Sequence, residues 1–154
     1  MNKINLLKSL PISKRKVDKR STSKTEEHIR ISRLYDFDYF DGSRDYGYGG
    51  YSYDGRWVPV SKDIVNFFDL KKGSKILDVG CAKGFLIYDL KNLGMNVYGL
   101  DVSEYAKKNS VEGISDHITI GDAKKLPYKN DYFDLVLSIN TIHNLEKKEC
   151  EETI

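Results

Sequence analysis

Three aspartates lie at spacings that invite chemistry. Asp78 sits in ILDVGCAKGF (76–85), Asp101 closes VYGLD and Asp122 follows ITIG, so each stands at or just past the C-terminal end of an apolar, strand-like run. Open α/β sheets bind their ligands at that edge. Gly80 permits a sharp turn off the first run and Gly84 lets the next helix start close to a ligand, which together make a cofactor cleft. A carboxylate at Asp101, 23 positions after Asp78, can accept both hydroxyls of a ribose, and one at Asp122 offers an acceptor to an adenine amino group. Singly each has a plainer use, Asp78 in a turn and the other two as helix or loop caps. Three in order along one sheet edge favour a nucleotide-type cofactor.

The elements that must carry these acids follow from periodicity. Ser61 with Asp63 reads as a capped helix start, with Ile64, Phe67 and Phe68 on one face and Lys71, Lys72 and Gly73 at its close. Lys75 to Val79 reads as a strand, Gly84 to Leu93 as a helix, Asn96 to Leu100 as a strand and Ser103 to about Asn109 as a well-capped helix. His117 to Ile120 and Asp131 to Ile139 complete the strands. Strands apolar on both faces, alternating with helices, predict an α/β fold with a mostly parallel sheet covered by helices. Upstream, Thr25 to about Tyr35 allows a short helix.

Residues from about 74 to 145 resemble the core of the class I S-adenosylmethionine-dependent methyltransferases, of the type 11 kind. LDVGCAKG is similar to that family's DxGxGxG motif, with Ala82 where the middle glycine usually stands. LDVSEYA resembles its ribose segment, GDAKKLPYKNDYFDLVLS its adenine segment and fourth strand, and INTIHNL the stretch that follows. The resemblance implies a Rossmann-like sheet and S-adenosylmethionine as cofactor. It implies that Asp78 and Gly80 hold the methionine part, with Ala82 and Gly84 in the same cofactor loop, Asp101 the ribose, Val102 an adenine face, Asp122 with the Ala123 amide the adenine edge, and Asn140 the methionine part or the acceptor. An alanine at 82 is tolerated where the backbone is not forced to positive φ. A nicotinamide-binding domain would need GxGxxG, and Ala82 and Phe85 occupy its second and third glycine positions counted from Gly80.

Methyl transfer from a sulfonium needs alignment, water exclusion and, for a poor nucleophile, a base. His143, just past the fourth strand, is the candidate base, with a backbone-bonded loop histidine as the equal alternative. His117 reads as a solvated edge residue, and His28 falls in the arm. Cys81 has no histidine beside it and reads as packing.

YFDGSRDYGYGGYSYDGRW (39–57) is ambiguous by composition, since tyrosine and glycine suit both an RNA-stacking tract and a glycine-jointed lid. RWVPV ties it directly to a helix, which favours an ordered cap over residues 35–60. The segment resembles methyltransferases of bacterial cell-surface polysaccharide or sugar metabolism. That implies a small hydroxylated or amino acceptor, with Tyr51 and Tyr53 as its wall and Asp54 and Arg56 as polar handles.

Residues 1–30 hold nine Lys/Arg against three Asp/Glu, leaving sixteen against twenty for 31–154, so a basic arm (1–34) precedes a mildly acidic body. Residues 11–24 carry too few apolar side chains to offset ordering entropy. The arm reads as a solvated tail in preference to an RNA contact. A net charge of +2 selects neither nucleic acid nor an acidic substrate. Two cysteines far apart suggest neither disulfide nor zinc and fit a reducing cytoplasm. INLLKSL, broken by Lys8, is too short for a signal segment, and no run reaches the roughly 20 residues of a membrane span. The resemblance implies that the body (61–154) is the first part of a seven-stranded fold. A truncated chain is therefore expected, with the fourth strand an exposed edge open to self-association; a non-catalytic cofactor-binding module of the same fold is the alternative.

Overall fold

A computed structural model of the protein describes residues 3–11, 25–142 and 148. They divide into two units, one formed by Met1–Leu10 with Gly55–Ile154 and the other by Pro11–Asp54. Most of the basic stretch 11–24, and His143, lie outside the described residues.

In the larger unit, α3 (Val58–Phe67) leads into β1 (Lys75–Val79), α4 (Phe85–Asn92), β2 (Asn96–Asp101), α5 (Glu104–Lys108), a 3₁₀ turn (Ser115–His117), β3 (Ile118–Ile120) and β4 (Leu135–Leu137). All pairings are parallel, in the order β3-β2-β1-β4. The sheet is clothed on both faces, which is why its strands read as near-continuous apolar runs. On one face Ile76, Val97 and Ile118 pack with Val60 and Ile64 of α3 and Leu86, Ile87 and Leu90 of α4. On the other, Leu77, Val79, Leu100 and Ala123 gather the half-buried Tyr98, Leu126, Tyr128 and Phe133. Each fully buried Leu, Ile or Val contributes about 1.5–3 kcal/mol, so this double-sided core is what holds the strand ends in place.

The structure corrects the expected bounds and buried face of the helix before β1 and the expected exposure of His117. The helix before β1 starts at Val58, three residues before the expected cap, because Pro59 in its first turn has no N–H to satisfy and a preset φ. Ser61 is instead buried, its hydroxyl donating to the Val58 carbonyl (2.9 Å). The buried stripe is then Val60 and Ile64, and Phe67 and Phe68 stand 48% and 42% exposed. The helix ends at Phe67; Gly73 is not its cap but donates to the Gly94 carbonyl ahead of β1. His117 is half-buried, with Nδ1 3.1 Å from the Val97 carbonyl. At the N-terminus, INLLKSL is an anchor: Leu7 and Leu10 pack on the core and Ser9 Oγ donates to Asp63 (2.5 Å).

The smaller unit contains α1 (Glu26–Ser32) and α2 (Phe37–Phe40). Thr25 caps α1 through a reciprocal box with His28, so that histidine has a structural use. The tyrosine/glycine stretch is folded here, not an unstructured tract. Tyr48 N–H donates to the Tyr39 carbonyl (2.8 Å), Gly50 N–H to Phe40 (3.0 Å) and Tyr51 N–H to Asp41 Oδ1 (2.9 Å). The Arg44 guanidinium donates to the Tyr48 carbonyl, and the rings of Tyr39, Phe40, Tyr48 and Tyr51 pack on one another. A side chain at Gly47 would run into the Tyr39 backbone. Gly47→Ala is therefore expected to destabilise this unit by about 1–3 kcal/mol. Hydrogen exchange checks it: the Tyr48 and Gly50 amides should be protected in the native chain and lose protection in the variant.

Candidate cofactor site at the strand ends

Parallel pairing in register places the carboxyl ends of β1 and β2 side by side, with Asp78 opposite Gly99 and Val79 opposite Leu100. Asp101 lies two residues past Gly99, so Asp78 and Asp101 project to the same face. Between them runs the loop 80–84. Gly80 and Cys81 N–H both donate to the Leu100 carbonyl (2.7 and 3.2 Å), turning the chain back over β2. Asp101 secures that turn: Oδ2 accepts from the Ala82 amide (2.7 Å) and Oδ1 from the Ser103 amide (2.9 Å). Ser103 in turn caps α5 by accepting from the Ala106 amide (2.9 Å).

Asp78 is buried, only 5% exposed, and its carboxyl accepts no hydrogen bond from the described residues. Burial, reinforced by the Asp101 charge, pushes its pKa up to about 7. Burial also raises Asp101, against the pull of the amides of Ser103, Ala82 and Val102, which favour its charge. Cys81 is buried over Gly99, its Sγ where a side chain at that position would stand, and its thiol is held well above the ordinary range by burial and by both carboxylates. It packs, as expected.

The glycines differ in use. Gly80 has φ +79 and leaves room filled by the Thr141 side chain, from the segment after β4. Gly84 has φ +75, but the space it leaves is taken by Ile114, so it serves helix-to-core packing and not a close approach to ligand. Ala82 has φ +50, so the condition that would make alanine harmless there is not met. An L-residue in the left-handed region carries a cost of about 1–2 kcal/mol.

The remaining candidates spread along the same edge. Val102 is half-exposed, Ala123 is buried on the opposite face of the sheet, and Asp122 is exposed, with Oδ1 accepting from the Lys124 amide (3.0 Å) and Oδ2 3.4 Å from its ammonium. Asn140 has φ +58 just past β4. Tyr51 and Tyr53 belong to the other unit, Tyr51 packed on Tyr48 and Phe40 and Tyr53 38% exposed. Sequence reasoning passed over Thr141 and Lys83. Thr141 had one signal, its place right after a strand whose neighbour turns on a glycine. Lys83 is 6% exposed, with its ammonium 5.8 Å from the Tyr105 ring centroid, and nothing in the sequence pattern set it apart from a surface lysine.

These residues fit a nucleotide-type cofactor with an amino acid portion. Each Asp101 oxygen keeps a lone pair beyond its amide bond for a ribose hydroxyl, and a buried carboxyl without a donor suits an ammonium. Fold and site thus define a Rossmann-like cofactor-binding domain. Residues 77–153 match the methyltransferase domain family, and the chain belongs to it. A methyltransferase of Geobacillus sp. is 31% identical over 77% of this chain and 57% of its own length, and phosphoethanolamine N-methyltransferase 3 of Arabidopsis thaliana 32% over 59% and 20%. A solved protein of Pyrococcus horikoshii matches with a TM-score of 0.55 and 25% identity, over 84% of this chain and 57% of that one. The chain thus spans less than two thirds of each of these relatives.

Two outcomes are expected. Ala82→Gly should raise stability by about 1 kcal/mol in denaturant unfolding by relieving the left-handed alanine. Asp78, with its folded pKa raised, contributes stability that is fully present below its unfolded pKa and lost as pH rises to about 7. Asp101 acts in the same direction. The stability difference between Asp78→Asn and the native chain should therefore shift in the variant's favour between about pH 4 and pH 7, by at most about 1.4 kcal/mol per pH unit, and level off above.

Proposed function

We propose that the chain binds S-adenosylmethionine at the carboxyl ends of β1 to β3 and works in methyl transfer to a small hydroxylated or amino acceptor, such as a sugar or a cell-surface polysaccharide precursor. The observation that carries the reading is the pair Asp78 and Asp101 on one face of the strand ends, one buried without a donor and the other bonded to the cofactor loop. Amine substrates in relatives' names, such as phosphoethanolamine and norajmaline, support an amino acceptor. The resemblance of residues 39–57 supports a hydroxylated one.

The bound cofactor supplies an electrophilic methyl group. Around it the protein's task is placement: Asp101 holds the ribose and, through Ala82, the loop; Asp78 holds the ammonium; Gly80 turns the loop beside the methionine part, with Thr141 packed against it; Val102, Asp122 and Ala123 border the adenine and Asn140 the methionine end. His143 is the proposed base for an acceptor hydroxyl or ammonium, and Tyr51 and Tyr53 the proposed acceptor wall.

Calorimetry with S-adenosylmethionine and its demethylated product tests the reading. Binding is expected with both, weakened about tenfold or more in Asp101→Ala, which removes the ribose acceptor and the loop anchor together. No binding at high micromolar ligand overturns the cofactor assignment, and binding unchanged by Asp101→Ala overturns the site.

A further inference from the structure

We infer that cofactor binding at this site is proton-linked: Asp78 holds a proton in the free protein and releases it to solvent when the ammonium of the cofactor's amino acid part arrives. The inference rests on the proposed function for the identity of the ligand, and on the geometry of the carboxyl pair for the proton.

Two carboxyl groups share one face of the strand ends, but their surroundings are unequal. Asp101 has two backbone amides on its oxygens, at 2.7 and 2.9 Å, and hydrogen bonds of that kind stabilise the ionised form. Asp78 is more deeply buried and receives none from the described residues. An isolated buried carboxylate beside a second negative charge is costly, and the group neutralises instead.

Among the described residues, the only charge that acts on Asp78 is that of Asp101, and none supplies a counter-charge. From the loop come Cys81, a neutral thiol that feels both carboxylates, and Lys83, whose ammonium sits over Tyr105 of α5. From β2 comes Asp101, the charge that acts on Asp78. The described part of β4 offers only Leu135, Val136 and Leu137. With no cation on Asp78 among the described residues, the ligand's ammonium is the charge that lets it ionise, and the proton leaves as the ammonium enters. The push of burial and of Asp101 places the transition at about 7, where a cell's ordinary pH variation would change cofactor affinity.

The test is calorimetry with S-adenosylhomocysteine, which carries the same amino acid part without the sulfonium, in buffers of different ionisation enthalpy. Close to one proton per ligand should be released at about pH 6 and close to none at about pH 8, with affinity rising about tenfold between them. Infrared difference spectra give a second readout: a protonated carboxyl band in the free protein at about pH 6 that disappears on ligand addition and is missing in Asp78→Asn. Binding at pH 6 without proton release, or a free protein without that band, overturns the inference and leaves the proposed function standing. Absence of binding at every pH overturns both.

Discussion

The Asp101 carboxylate is the point through which the site is organised. One oxygen takes the Ala82 amide and the other the Ser103 amide, so a single side chain joins the loop after β1 to the turn after β2. That bond is reachable only because β1 and β2 run parallel and in register, with Val79 opposite Leu100, and because the Leu100 carbonyl already holds the Gly80 and Cys81 amides. Hydrophobic burial on both faces keeps the register, since a slip by one residue would exchange the sets led by Ile76 and by Leu77 between faces. Gly84 then lets α4 settle against Ile114, and Ser103 caps α5.

The same constraint brings two acids together where water is scarce. A core built for stability alone would avoid both Asp78 and a left-handed alanine beside it. Such concentrations of unfavourable terms mark binding sites, because a ligand of the right charge recovers what the free protein gives up. The fully buried Ile76, Val60, Ile87 and Leu90 beneath them offset the cost.

In the smaller unit, glycine and tyrosine cooperate in a different way. Gly47 allows the backbone to close on Tyr39, and the rings of Tyr39, Phe40, Tyr48 and Tyr51 then share a cluster that neither residue type would build alone. A composition that suits a disordered tract therefore folds, because its tyrosines have one another and its amides have Tyr39, Phe40 and Asp41 as acceptors.

Sequence by itself determined the alternation of strands and helices, the mostly parallel sheet and the residues standing at the strand ends. Lys75–Val79 and the Ser103 cap were legible to the residue, because apolar runs bounded by glycine and capping hydroxyls are local signals. The start of α3 was not, since a serine with an acid behind it outshone the proline that begins the helix. Within the site, Asp78, Gly80 and Asp101 were named from spacing alone, but only the tertiary structure decided what separates them. Whether a carboxyl has a donor, whether Ala82 lies at positive φ, and whether the room at Gly84 faces a ligand or Ile114 depend on what other parts of the chain bring up to it. Local propensity places a residue on an element; long-range packing sets its burial, its partners and hence its charge.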